Sequence, residues 1–325
     1  MKARRVLQPI WFSSVLLPFL NRRVKDRFVG GAFFLITILP FAILLVVIVS
    51  LILRTQPILS AHSIGELLTG QKWYPLKGQF GFFPFIAGTF WVTFMALILA
   101  VPPCLLSAIY LSEYCRPRIS AVAKPLLDLL AGIPSVVYGV WGMVAIVPLV
   151  QVFSSHVNKW LGFIPLFSKN NPTGYSILSG GIVLAVMITP FIIAVTCEVL
   201  RTVPDGTRLA SLALGATKWQ TIKYVVLPQT RSGIFAGVVF GASRALGETM
   251  AVLMVVGNVA KVPSSIFDPA YPLPALIANN YGEMMSIPLY DAALLGAALV
   301  LLIIVLFFNL ISTIALRHII GRSKI

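Results

Sequence analysis

Six long apolar runs dominate the chain, at about residues 28–53, 86–111, 121–150, 176–200, 232–257 and 289–315. Segments rich in Pro, Gly, Asn, Ser and charge separate them, as in Arg116-Pro117-Arg118 and Asn170-Asn171-Pro172. Each run exceeds the roughly 20 apolar residues that a helix needs to cross a bilayer. The pattern therefore predicts an all-α membrane protein with six transmembrane helices. A shorter apolar stretch, Val6 to Leu20, holds two prolines and lies between Arg4-Arg5 and Arg22-Arg23. It is too short to span and is predicted as an N-terminal interfacial helix. A signal peptide is its rival, but the NRRVKDR that follows offers no small-residue cleavage site. The predicted plan is an interfacial segment over 1–27, a membrane domain over 28–315 and a tail over 316–325.

Composition agrees with the pattern. Of 325 residues 58% are hydrophobic and 11% charged, and the mean hydropathy is +0.94. A water-soluble domain carries roughly 25% charged residues. A net charge of +15 in a soluble protein would point to nucleic acid, but here its distribution follows topology. Placing the N-terminus in the cytoplasm puts 18 of the 25 lysines and arginines on the inside and six outside, with Arg244 left within a span. The positive-inside rule then predicts both termini cytoplasmic and no nucleic-acid partner. His62, His156 and His318 are scattered, and Cys104, Cys115 and Cys197 lack paired spacing, so no metal site is expected.

This orientation leaves three long outside loops, 54–85, 151–175 and 258–288. The third has prolines at 263, 269, 272 and 274 and then LPALIANNYGEMM, which fits a short amphipathic helix. A docking surface for an extracytoplasmic partner and a cap over the bundle fit this loop equally well.

Between spans four and five a polar but patterned insertion, 204–230, leaves the membrane. Asp205 or Thr207 is placed to cap a helix containing Leu209, Leu212 and Ala213. Gly215 interrupts it, Thr217 is placed to cap a second helix, and Pro228 is expected to end that one. The insertion reads either as an amphipathic pair resting on the surface or as a lever gripped by a cytoplasmic partner. Gly215, eleven residues, then Leu227-Pro228 is similar to the signature loop of ATP-binding-cassette importer permeases. That resemblance implies docking onto an ATPase subunit through Leu209, Ala210, Ser211, Gly215, Ala216, Leu227 and Pro228. Leu209 stands where the family pattern has glutamate.

The predicted fifth span contains SRALGETMAVLMVVGN. Counted as one helix from Gly233 to Gly257, it puts Arg244 near mid-bilayer. Glu248 is then one turn further along the same face, about 6 Å away. A charge at such depth costs roughly 2.5 to 3.5 kcal/mol, so both face the bundle interior or a wet cavity. Mutual neutralisation is one reading. The favoured reading makes Arg244 a way station for an anion, since a guanidinium gives two-pronged hydrogen bonding to oxyanions. Glu248 would then weaken the hold and take the guanidinium back when the anion leaves.

RALGETMAVLMVVGN resembles the fifth-helix signature of phosphate importer permeases, in which this arginine and glutamate are implicated in translocation. LLAGIPSVVYGVWG, Leu129 to Gly142, and LPALIANNYGE resemble further segments of the C-type permeases of that Pst family. The resemblance implies a type I ABC importer permease fold in a bacterial inner membrane. It also implies a substrate pathway through Arg244, Glu248, Ser135, Tyr138, Ser243 and Thr249. From the residues themselves, Gly132, Gly139 and Gly142 permit close helix approach, Pro134 breaks a backbone ladder, and Ser135 and Tyr138 offer hydroxyls.

No G-x-x-x-x-G-K-[ST] phosphate cradle occurs, so the chain is expected to be a transport subunit and not an enzyme, without a cofactor of its own. The resemblance supplies the partners: a second, distinct permease subunit, an ATPase dimer binding ATP and Mg, an extracytoplasmic phosphate-binding protein, inorganic phosphate and membrane lipid. The sister permease, or a permease for another oxyanion, is the nearest alternative. An ion-coupled carrier using Glu248 for protons would show internal repeats, and none is seen.

Overall fold

The computed structural model describes residues 22–167, 171–282 and 288–321. The predicted interfacial helix over 6–20 lies outside the described residues, as do Glu283 of the third loop and the last four residues of the tail.

The chain divides by its contacts at Leu53. The described part of the N-terminal unit is the beginning of one long helix, α1 (Arg22–Ala61), whose side chains from Arg27 to Leu53 are exposed or only partly covered. Phe33, Phe34, Ile36 and Phe41 all present apolar surface, as a helix facing lipid does. The helix outlasts the predicted 28–53 run.

In the second unit the end of α1 buries Ile58. The expected first outside loop then contains α2 (Ile64–Thr69), capped by a Ser63/Glu66 box, and the antiparallel pair β1 (Trp73–Tyr74) and β2 (Gln79–Phe80). Helix α3 (Phe83–Ile109) follows and widens into a π turn at Tyr110–Tyr114. Its Ala96, Ala100, Cys104 and Ala108 repeat every four residues and are all buried. They form the smooth face that meets α7 (Ile177–Arg201), the most deeply buried span.

The predicted third run, 121–150, is two helices. Pro134 lacks an N–H and holds Ile133 in extended backbone, φ −66° and ψ 130°. The break separates α4 (Pro117–Gly132) from α5 (Ser135–Trp141), which continues through a π turn into α6 (Val147–Leu161). The long apolar helix is therefore Ser135–Trp160, and the 151–175 loop begins later than expected. Close approach explains two of the three glycines there. A Cβ on Gly139 would lie 2.7 Å from Met254 Sδ, and one on Gly142 2.4 Å from Val183 Cγ2, whereas Gly132 has nothing within 4 Å.

The 204–230 insertion forms α8 (Asp205–Ala213) and α9 (Lys218–Thr221) around Gly215, whose φ of +85° suits glycine. Thr217 and Gln220 make a capping box for α9. Asp205 is already helical and caps nothing, because Pro204 holds the cap position. Pro228 does not end the helix. A π turn at Ile222–Val226 leads directly into α10 (Leu227–Gly247), with Leu227 N–H donating to the Ile222 carbonyl. A π turn also precedes Pro148. Widening the turn by one residue accommodates a ring that cannot donate and that crowds the carbonyl of the turn before it.

After α10 come α11 (Met250–Leu253), α12 (Leu273–Asn280) and α13 (Pro288–Gly321). Leu273, Ala275 and Leu276 of α12 are fully buried, against α3 and α13. The apolar side of LPALIANN thus closes that end of the bundle, as a cap does.

Candidate functional site

The predicted fifth span breaks at the charges. Helix α10 ends at Gly247, and Glu248 is extended, with φ −70° and ψ 128°. Arg244 is consequently in the last turn of its helix and not at the middle of a continuous one. Glu248 is the first residue beyond, so the two do not share a helix face. Local electrostatics suit this break: a cation in the last turn opposes the free carbonyls, and Glu248 Oε1 accepts from Ala251 N–H at 3.3 Å at the start of α11.

The two side chains go different ways. The Arg244 guanidinium carbon lies 3.8 Å from the centre of the Phe191 ring on α7. Its Nε is buried and has no hydrogen-bond partner, and Arg244 makes no ion pair among the described residues. Tyr138 on α5 lies within electrostatic range of it. Glu248 borders a crevice with Thr89, Thr93 and Pro272. At about 10 Å³, that crevice has room for no more than about one water. Among the described residues Arg244 and Glu248 are not paired, and the guanidinium lies over the Phe191 ring instead.

The other predicted pathway residues scatter around this centre. Tyr138 donates its hydroxyl proton across the Pro134 break to the Leu130 carbonyl at 2.8 Å, an acceptor that Ile133 N–H also reaches at 3.3 Å. Ser243 donates to Asn309 Oδ1 on α13 at 2.8 Å, away from Arg244. Thr249 bonds back to the Gly247 carbonyl at 3.3 Å. Ser135 is half-buried in the first turn of α5 with no capping hydrogen bond.

In the α8–α9 segment, Leu209 and Ala210 are exposed, and Ser211 bonds Thr221 Oγ1 at 3.0 Å, joining the two helices. Ala216 and Leu227 are half-buried, and Pro228 is exposed within the continuous helix. Leu209, Leu212, Leu214 and Trp219 form an uncovered apolar surface there. Asp128 of α4 lines a cavity of about 250 Å³ with Lys124, Glu198 and Arg201. The ion pair in it is Lys124 with Glu198, at 3.1 Å.

Sequence reasoning missed Phe191, Asn309 and the pair Glu113–Arg208. Asn309 and Glu113 carried a readable signal, since each is a lone polar group in or ending an apolar run. Phe191, one phenylalanine among 21, carried none. At the opposite end of α10 from Pro228, the cap is tied by Tyr271, whose hydroxyl accepts from Asn279 and Asn280 at 2.9 Å each. Burial pushes the Tyr271 phenol above its ordinary value, and the two amide bonds pull the other way.

Six long apolar helices, one of which ends in a charged break at Gly247 and follows a segment with exposed apolar side chains, define a membrane-embedded transport subunit. Residues 104–324 match the family model for binding-protein-dependent transport system inner membrane components. The chain is 36% identical over 271 residues to the phosphate transport system permease protein PstC of Pasteurella multocida, covering 81% of this chain and 83% of that one. It is 38% identical over 237 residues to PstC of Xylella fastidiosa, covering 72% of each. Its fold is similar to a chain of a bacterial ABC transporter involved in import of the acidic polysaccharide alginate. There the TM-score is 0.52 at 18% identity, over 90% of this chain and 97% of that one. The chain therefore belongs to the family of ABC importer permeases, and within it to the PstC-type subunits.

Proposed function

We propose that the chain is one of two distinct permease subunits of an ATP-driven importer of inorganic phosphate, and that Arg244 is the group in the pathway that meets the anion. The observation that carries the reading is the state of Arg244: a half-buried guanidinium that has, among the described residues, no ion pair and no acceptor for its buried Nε. A charge so placed is costly unless a ligand completes it. PstC relatives named as phosphate transport permeases support phosphate as that ligand.

In this reading both termini and the 204–230 segment face the cytoplasm, in a bacterial inner membrane. A separate ATPase dimer, holding ATP and Mg, docks on the apolar surface around Leu209 and Leu214. Its closure moves α8, and the unbroken helix from Lys218 to Gly247 carries that movement directly to Arg244 in its last turn. The loops at 54–85, 151–175 and 258–288 face a phosphate-binding protein outside.

The test is reconstitution with candidate partner subunits, measuring phosphate-stimulated ATP hydrolysis and phosphate uptake for wild type and Arg244→Ala. Wild type is expected to show both and Arg244→Ala to lose uptake. Equal uptake by the two would remove Arg244 from the pathway.

A further inference from the structure

We propose that Phe191 is a positioning residue for Arg244: it holds the guanidinium by its face so that the N–H edge stays open to an oxyanion. The inference rests on the reading of Arg244 as the anion-binding group and assigns it a partner outside the fifth span.

A half-buried guanidinium with a buried Nε needs a partner, and the kind of partner decides what it can still do. A carboxylate accepts two parallel N–H bonds and so occupies the edge that would grip a phosphate. An aromatic ring attracts the same cation through its face and takes none of the N–H donors. Here the guanidinium carbon is 3.8 Å from the Phe191 centroid. The carboxylate one turn along the sequence is directed elsewhere, bonded to the Ala251 amide. The broken helix produces that outcome: with Glu248 extended beyond Gly247, its side chain starts α11 and leaves Arg244 to the ring.

Phe191 is itself held. It follows Pro190 within α7, the buried span, and its ring packs against Phe240 of α10 at 6.4 Å between centroids. Phe240 and Arg244 are one turn apart on α10, so this helix supplies both the cation and a second ring that supports the first. The result is a guanidinium fixed in place with its donors unspent. Rigid placement is what two-pronged oxyanion recognition requires. The buried Nε that lacks an acceptor is one of those unspent donors.

The test uses the complete importer in proteoliposomes, with saturating phosphate-loaded binding protein and ATP, and follows uptake of labelled phosphate. Phe191→Leu removes the ring and keeps an apolar side chain, and Phe191→Tyr keeps the ring. Uptake is expected to fall roughly 2- to 30-fold in Phe191→Leu, the range cation–π contacts span from exposed to desolvated sites, and to stay within about twofold of wild type in Phe191→Tyr. The phosphate-free melting temperature of each complex is measured alongside. Loss of uptake in Phe191→Leu at unchanged melting temperature supports the proposal. Wild-type uptake in Phe191→Leu overturns it, and so does a loss in both variants that follows a fall in melting temperature. If Arg244→Ala also transports like wild type, the reading of Arg244 itself has failed. If Arg244→Ala is inactive while Phe191→Leu is normal, only the role of Phe191 is lost.

Discussion

Arg208 of α8 and Glu113 at the end of α3 form a partly buried ion pair, Nη2 to Oε1 2.9 Å, with side-chain exposures of 17% and 8%. Arg208 also donates to the carbonyls of Leu200, at 2.8 Å, and Val203. It thereby joins the α8–α9 segment to the ends of two spans. Lys218 adds a second grip on α3, its ammonium 4.7 Å from the Tyr114 ring centre. In the proposed cycle, movement of α8 is therefore passed to α3 as well as to the helices it connects covalently. Glu113→Gln is expected to lower the phosphate carried per ATP hydrolysed several-fold. Glu113→Ala leaves Arg208 its carbonyl acceptors and Asp205 at 3.4 Å, and is expected to cost about 1.5 to 3 kcal/mol of stability, the range for a hydrogen bond to a charged group. Measuring uptake and hydrolysis in the same vesicles separates the outcomes, because a parallel fall of both would mean that the pair only holds the fold.

The uncovered apolar surface on the same segment gives a second prediction. Leu214 is 90% exposed, and in the proposed orientation it lies outside the bilayer, where such exposure marks an interface. Leu214→Asp and Trp219→Asp are expected to leave the chain inserted and folded while abolishing co-purification with the ATPase subunit. Leu76→Asp is the control, an equally exposed leucine in the loop before α3. Retained co-purification in both test variants would place the docking surface elsewhere.

Tyr271 predicts how the cap responds to alkali. Burial raises its folded value above 10.0, so the unfolded chain loses this proton first as pH climbs. The contribution of Tyr271 is then fully present below pH 10 and is lost as pH rises through the raised folded value. Melting temperatures scanned over this alkaline range should fall more steeply for wild type than for Tyr271→Phe, which has no proton to lose. Identical slopes would show that the cap does not sense this group.

Much of this architecture was legible as a pattern. Six runs gave six long apolar helices, because apolar length is what the bilayer demands of a span. Gly215 and Thr217 marked the turn between α8 and α9, because a left-handed backbone and a capping oxygen are local requirements written in single residues. Breaks were harder to read. Pro134 and Gly247 end helices and Pro228 does not, and the difference at Pro228 lies in the π turn that precedes it, which no single residue announces. The same limit hid the charged site. Arg244 was found from its cost, but its partner depends on where Glu248 turns after the break and on which ring α7 presents, and both are tertiary outcomes.

The α7–α10 contact depends on a glycine stripe, which gives a test of packing. Gly233, Gly237 and Gly241 of α10 recur every four residues and meet Val199, Val195 and Ile192 of α7. A Cβ would lie 2.4 Å from Val199 Cγ1 at Gly233, 3.1 Å from Val195 Cγ1 at Gly237 and 2.7 Å from Ile192 Cγ1 at Gly241. Small residues let two membrane helices approach this closely, and dispersion then holds them together. Gly233→Ala forces the pair apart at the end nearer the docking segment and is expected to cost about 1 to 3 kcal/mol. Adding Val199→Ala removes the obstructing methyls and should restore most of the loss, whereas Gly132→Ala, with nothing within 4 Å of the added carbon, should leave stability unchanged. Thermal melting of the detergent-solubilised complex measures all three. Because α10 carries Arg244 and α7 carries Phe191, the same displacement would also separate cation from ring. Gly233→Ala should therefore reduce phosphate uptake more than its loss of folded protein explains, and Val199→Ala should rescue both together.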